Sequence, residues 1–169
     1  MHAKTLRPMR QQPEPGQESV WDYPRPPSIE TTLRHIQIFV GSETIADSRR
    51  TLRLTETSHP PVYYIPPADL RLDLLQPAVG YSYCEWKGEA IYHTLVVGDR
   101  RTDQVAWSYP QPAAPYASLA GYLAFYPSKV DRCLVDGIEV VAQPGDFYGG
   151  WITPEIVGPF KGDPGSWGW

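Results

Sequence analysis

The sequence predicts an all-β fold: a single compact domain of short, mostly antiparallel strands with one or two short helical turns. Three observations carry that expectation. The 169 residues include 19 prolines and 14 glycines, which interrupt helices and mark turns. They also include 11 tyrosines and 6 tryptophans, residue types that suit a pleated, half-buried surface. Most apolar runs repeat every second residue, the period of a strand.

The bulk numbers narrow the class. Hydrophobic residues make up 41% and charged residues 20%, as in an ordinary globular protein. A formal charge of -4 lacks the basic footprint of a general nucleic-acid binder, so no nucleic-acid partner is expected. Cys84 and Cys133 are the only cysteines, which fits free thiols in a reducing compartment better than a disulfide framework. With no apolar run of signal-peptide or membrane-spanning length, the expected location is cytoplasmic, with no membrane partner.

Residues 1–32 read as a Pro-rich N-terminal extension, extended or loosely docked, with Trp21 and Tyr23 able to anchor its end. The β domain is expected over 33–142. Ile36, Ile38 and Val40 alternate with polar or outward positions, Gly41-Ser42 signals a turn, and 43–47 reads as the returning strand. Leu52 and Leu54 give another short strand. Arg49, Arg50 and Arg53 form a cationic cluster in sequence beside Asp47, either a salt-bridged turn or an anion grip. Val62–Ile65 is a strand fenced by Pro60-Pro61 and Pro66-Pro67, since proline cannot donate to a ladder. Asp69 is placed to cap one or two helical turns over 70–75. Further on, 91–97 and 104–109 alternate as strands, and 116–120 suggests a turn of helix. Residues 122–126 are apolar on both faces, as in a doubly covered strand. Asp136-Gly137 between two β-rich runs predicts a type I′ hairpin. Residues 143–169, with seven Gly, four Pro and three Trp, form an aromatic tail expected to dock on the domain or on a partner.

Tyr81 to His93 is the densest stretch of reactive groups, holding Cys84, Glu85, Trp86, Lys87, Glu89 and His93. Five blocks resemble a known family: 47–50 (Asp-Ser-Arg-Arg), 59–66 (His-Pro-Pro-Val-Tyr-Tyr-Ile-Pro), 84–88 (Cys-Glu-Trp-Lys-Gly), 106–109 and 123–127. In this order they are similar to the signature blocks of domain of unknown function 427, over about residues 34–142. The family's central block more often reads Cys-Pro-Tyr-Lys-Gly, so Glu85-Trp86 departs from it while keeping an aromatic beside Lys87. The resemblance implies a β-tent-like arrangement of folded antiparallel sheets. It also brings the label nucleotidyltransferase-like, without an established activity.

The residues offer little for metal-assisted transfer. Gly41-Ser42 is present, but the chain has no Asp-x-Asp and no Gly-rich phosphate loop, and the spacing of Asp47, Glu89 and Asp131 does not favour a shared metal. His59, Cys84, His93 and Cys133 lack the paired spacing of a zinc site, so no metal and no cofactor are predicted. The catalytic candidates are Cys84 as a nucleophile with Lys87 and His59 as neighbours; His93 reads as a core-facing strand residue. The expected function is a small-molecule pocket for a planar or anionic ligand. Its walls are Tyr63, Tyr64, Trp86, Trp107, Tyr109 and Tyr126, and its charges Lys87 and Arg49. Two alternatives stay open: an enzyme, Cys-dependent or nucleotidyltransferase-like, and an interaction module that self-associates through the aromatic tail.

Overall fold

The computed structural model describes residues 8–145 and 147–169, so the first seven residues of the N-terminal extension lie outside it. The order of strands is β1 (Glu18–Ser19), β2 (Ser28–Thr31), β3 (Ile36–Val40), β4 (Glu43–Ser48), β5 (Leu52–Thr55), β6 (Val62–Tyr64), β7 (Leu75–Cys84), β8 (Gly88–Val97) and β9 (Arg100–Ser108). There follow β10 (Leu123–Phe125), β11 (Arg132–Val135), β12 (Ile138–Glu139), β13 (Val141–Ala142), β14 (Trp151–Ile152) and β15 (Ile156–Val157). The chain is all-β: among the described residues the only helical pieces are short 3-10 turns. Among the described residues no helix is long and apolar enough to cross a membrane.

Two four-stranded sheets, ordered β10-β9-β8-β7 and β12-β11-β3-β4, and one three-stranded sheet, β2-β5-β6, carry the architecture. Their pairings are antiparallel. Ile65 and Leu123 exchange both backbone hydrogen bonds, at 2.8 and 3.0 Å, and so stitch β6 to β10. β10 is thus paired at both edges, and its faces pack on different cores, Leu123 and Phe125 on one and Ala124 on the other, which is why 123–125 is apolar on both faces. At the β11–β12 hairpin Asp136 and Gly137 have φ of 51° and 77°, as a type I′ turn requires.

A period of two divides the side chains of β6 between two cores. Tyr63 joins Ile36, Ile38, Ile65 and Phe125 in one, while Tyr64 joins Trp107, Tyr109 and Tyr126 in the other.

Two local expectations give way. Residues 70–75 do not form a capped helix. Pro67–Asp69 and Leu72–Leu74 are separate 3-10 turns, and between them the Arg71 N–H donates to the Ile45 carbonyl at 2.9 Å. A segment this short cannot offset helix nucleation, and the neighbouring sheet takes its backbone. Asp69 instead accepts the Ser48 hydroxyl at 2.7 Å and a bidentate pair from Arg50 at 2.8 Å. The arginines of 49–53 also part company: Arg50 pairs with Asp69, Arg53 with Glu18 and Glu30, and Asp47 with His35.

The terminal segments are woven into the fold. β1 lies parallel to β15, joining the N-terminal and C-terminal segments. Trp21 donates its indole N–H to the Pro159 carbonyl at 2.9 Å and meets Trp169 edge-on at 5.5 Å. Trp151 is fully buried, donates to the Phe125 carbonyl at 3.1 Å and packs on Tyr63 at 5.3 Å. Trp167 is the one tryptophan left largely exposed, at 64%.

Arg53 clamps the N-terminal segment, donating to Glu18 and Glu30 at 2.6 Å each and to the Tyr23 hydroxyl at 3.2 Å. Replacing it with methionine frees two glutamates that are already about half exposed (48% and 53%), so local loosening should exceed global destabilisation. In limited digestion with a glutamate-specific protease, Arg53→Met is expected to be cut faster at Glu18 and Glu30 while the rest of the chain persists. Unchanged cleavage there would show that the clamp contributes nothing.

Candidate functional site

A cavity of about 280 Å³ opens where the β7–β8 turn, the face of β9 and the C-terminal segment meet. Its first wall is the turn itself. Cys84 pairs with Gly88 across the hairpin, leaving Glu85, Trp86 and Lys87 as the connection. Gly88 sits at φ +105° and closes on the backbone of Gln111 and Ala113, a conformation strained for any side chain. The Ala113 N–H donates to the Lys87 carbonyl at 2.9 Å, so the 110–115 loop fixes the turn from outside.

The second wall is aromatic. The Trp107 indole N–H donates to the Tyr64 hydroxyl at 3.3 Å. Trp107 lies 4.6 Å from Tyr126, and Tyr109 lies 6.4 Å from Tyr64. Burial pushes the hydroxyls of Tyr64, Tyr109 and Tyr126 above their ordinary range, so they stand as neutral groups at physiological pH.

The third wall comes from the C-terminal segment, through Gln143, Phe147, Tyr148 and Lys161. Gly149 makes that approach possible: a Cβ there would come within 2.8 Å of both the Trp107 and Tyr126 rings. Gln143 is held rigidly. Its side-chain oxygen accepts from the Gly150 N–H at 3.0 Å, and its amide nitrogen donates to the Lys161 carbonyl at 2.8 Å and to His59 Nδ1 at 3.1 Å. An Nδ1 that accepts leaves the neutral ring's proton on Nε2. That atom lies 3.7 Å from the Glu56 carboxylate.

His59 is 9% exposed. Burial, helped by the cations Lys161, Arg25 and Lys87, takes it down to about 3. It is therefore a neutral donor and not a base at neutral pH. An unfolded histidine titrates at about 6.5, so between that pH and about 3 the unfolded chain binds one proton more than the native one. Stability due to His59 is thus present above that window and is lost as pH falls through it. Wild type is expected to lose about 2 kcal/mol more than His59→Gln between pH 7 and pH 5, measured by urea unfolding. Equal losses would show that His59 titrates normally.

Lys87 is 8% exposed and sits 5.6 Å from the centre of the Tyr109 ring. Burial opposes its charge, but Tyr64, Cys84 and the Glu56 carboxylate outweigh that, and the ammonium is held above its ordinary range. Among the described residues its Nζ forms no ion pair; the Cys84 thiol is its side-chain hydrogen-bond partner, and the residue lines the cavity. Lys161 places a second ammonium 5.3 Å from the Tyr148 ring.

Of the residues singled out from sequence, Cys84, Trp86, Lys87, His59, Tyr64, Trp107, Tyr109 and Tyr126 all line this cavity. Arg49 and Tyr63 do not. Arg49 is exposed on the β4–β5 turn, and Tyr63 points through β6 to the other core. His93 bonds Ser108 at 2.9 Å away from the cavity. Asp47 and Asp131 are engaged by His35 and by Arg100 with the Gly41 N–H. Among the described residues no three His, Cys, Asp or Glu gather as a metal site would need. Sequence reasoning missed Glu56, Gln143, Tyr148 and Lys161. Only the Glu56-x-x-His59 spacing carried a local signal; the others arrive from far along the chain.

A search of curated proteins finds no match. A sequence model of the family described as a domain of unknown function (DUF427) matches residues 28–136, from β2 to the turn before β12 and more than half of the chain. The match takes in the Cys84–Lys87 turn and the aromatic wall but stops short of Gln143, and on it the chain belongs to the DUF427 family.

Proposed function

We propose that the chain binds a small planar anion in this cavity, with Lys87 receiving the negative charge and the aromatic walls holding the ring. Lys87 carries the reading. An ammonium taken out of water costs several kcal/mol unless a partner offsets it, and this one, at 8% exposure, has the Cys84 thiol and a more distant Glu56 carboxylate but no ion-pair partner among the described residues. An anion would supply that partner. Trp86, Trp107 and Tyr109 offer flat apolar faces for the rest of the molecule. The dimensions agree with a metabolite-sized ligand and are too small for a macromolecular segment. Cys84 forms part of the wall beside Lys87, and its thiol has no role in the binding reading beyond packing and its hydrogen bond to Lys87.

The test is a thermal-shift screen of aromatic carboxylates, led by indole-3-propionate, on wild type and Lys87→Met. Stabilisation of the wild type that the variant loses is the expected result. Equal shifts in both, or none in either across the panel, would refute it.

A further inference from the structure

The cavity is lined by two carboxylates, Glu56 and the exposed Glu85, as well as by the ammoniums of Lys87 and Lys161. Glu56 lines it, with a side chain 20% exposed. Its nearest cations are the Arg25 Nε and, if protonated, the His59 Nε2, each at 3.7 Å, beyond a good hydrogen bond. Arg25 lies outside the cavity, is 38% exposed, and spends its Nη2 on the Thr57 carbonyl at 2.7 Å, so solvent weakens its hold on Glu56. Glu56 and Lys87 act on one another electrostatically yet form no ion pair.

Charges of both signs thus face one cavity, and Glu56 and Lys87 do not neutralise each other in an ion pair. A simple anion satisfies Lys87 but meets repulsion from Glu56. A simple cation does the reverse, since it meets Lys87 and Lys161. A molecule with both charges satisfies both ends, and its ammonium also gains from the electron-rich faces around it.

We infer that the ligand is a zwitterion, of the class of an aromatic amino acid, with its carboxylate on Lys87 and its ammonium on Glu56. The inference rests on reading the cavity as a binding site and sharpens which chemistry it selects. Glu56 then becomes the specificity-determining residue, because it sets zwitterions apart from plain aromatic acids.

Three probes that share an indole ring separate the charges: L-tryptophan carries both, indole-3-propionate only the anion, tryptamine only the cation. Calorimetric titration of the full chain is expected to rank L-tryptophan at least tenfold tighter than either of the others. Glu56→Gln should abolish its advantage over indole-3-propionate, whose own binding should hold or strengthen. Lys87→Met should abolish its advantage over tryptamine. If indole-3-propionate binds wild type as tightly as L-tryptophan, the zwitterion is overturned while the cavity remains an anion site. If none of the three binds, the zwitterion is again overturned, and the aromatic-carboxylate screen against Lys87→Met decides separately whether the cavity binds anions at all. Should Glu56→Gln fail to fold by circular dichroism, the three-probe ranking on wild type still settles the matter.

Discussion

Trp151→Ala is expected to lower the unfolding free energy by about 3–5 kcal/mol, the usual range for removing a large aromatic from a core. The indole is fully buried against Tyr63, and its ring nitrogen serves the Phe125 carbonyl. The substitution therefore leaves a cavity and, unless water reaches it, an unmet acceptor, whose cost adds to the lost packing. In a chain of this size, that corresponds to a fall in Tm of about 6–20 °C. Trp167→Ala is the control: at 64% exposure it should change stability by no more than about 0.5 kcal/mol. Urea denaturation followed by circular dichroism measures both. Similar small effects for the two would mean that the C-terminal segment lies on the domain without contributing to its core.

Lys87→Met is expected to separate stability from binding. Methionine keeps much of the stem's apolar contact and removes the ammonium. In the unliganded protein this takes away a charge held by Cys84 and Glu56 without an ion pair, so stability should fall by no more than about 1 kcal/mol. Loss of an anion's charged partner in a desolvated site costs about 2–5 kcal/mol of binding, a drop in affinity of about 30-fold or more. Titration with indole-3-propionate reads the affinity, and urea unfolding reads the stability. A variant that is much less stable when free would mark Lys87 as a structural residue satisfied by the protein itself. Unchanged affinity would place the anion elsewhere.

Much of the architecture was legible because its signals are local. Double prolines bracket β6, Asp136-Gly137 makes the hairpin turn, and the two-sided apolar run at 123–125 is a covered strand. The Cys84–Lys87 connection was legible for the same reason: a cluster of chemically active residues just ahead of an alternating strand. Tyr63 shows the limit of reading residue types without faces. Adjacent strand residues point to opposite sides, so Tyr63 and Tyr64 cannot share one cavity, and tertiary packing chose Tyr64. Arg49 shows a second limit, since nearness in sequence said nothing of where each arginine would find its carboxylate. Glu56 and Lys161 were illegible for a different reason. Their importance comes from what surrounds them, and those surroundings are brought together by segments about a hundred residues apart.

The division of the cavity walls has a consequence for the order of events in synthesis. The Cys84–Lys87 turn and the aromatic wall leave the ribosome early, within a stretch that holds its own strands. Gln143, Tyr148 and Lys161 follow later, and the β1–β15 pairing waits for residue 156 to emerge. A chain that lacks the late segment is therefore expected to expose Trp107, Tyr126 and Lys87 in an open groove. In the folded chain the terminal segment covers aromatic surface whose exposure would invite association between incomplete chains.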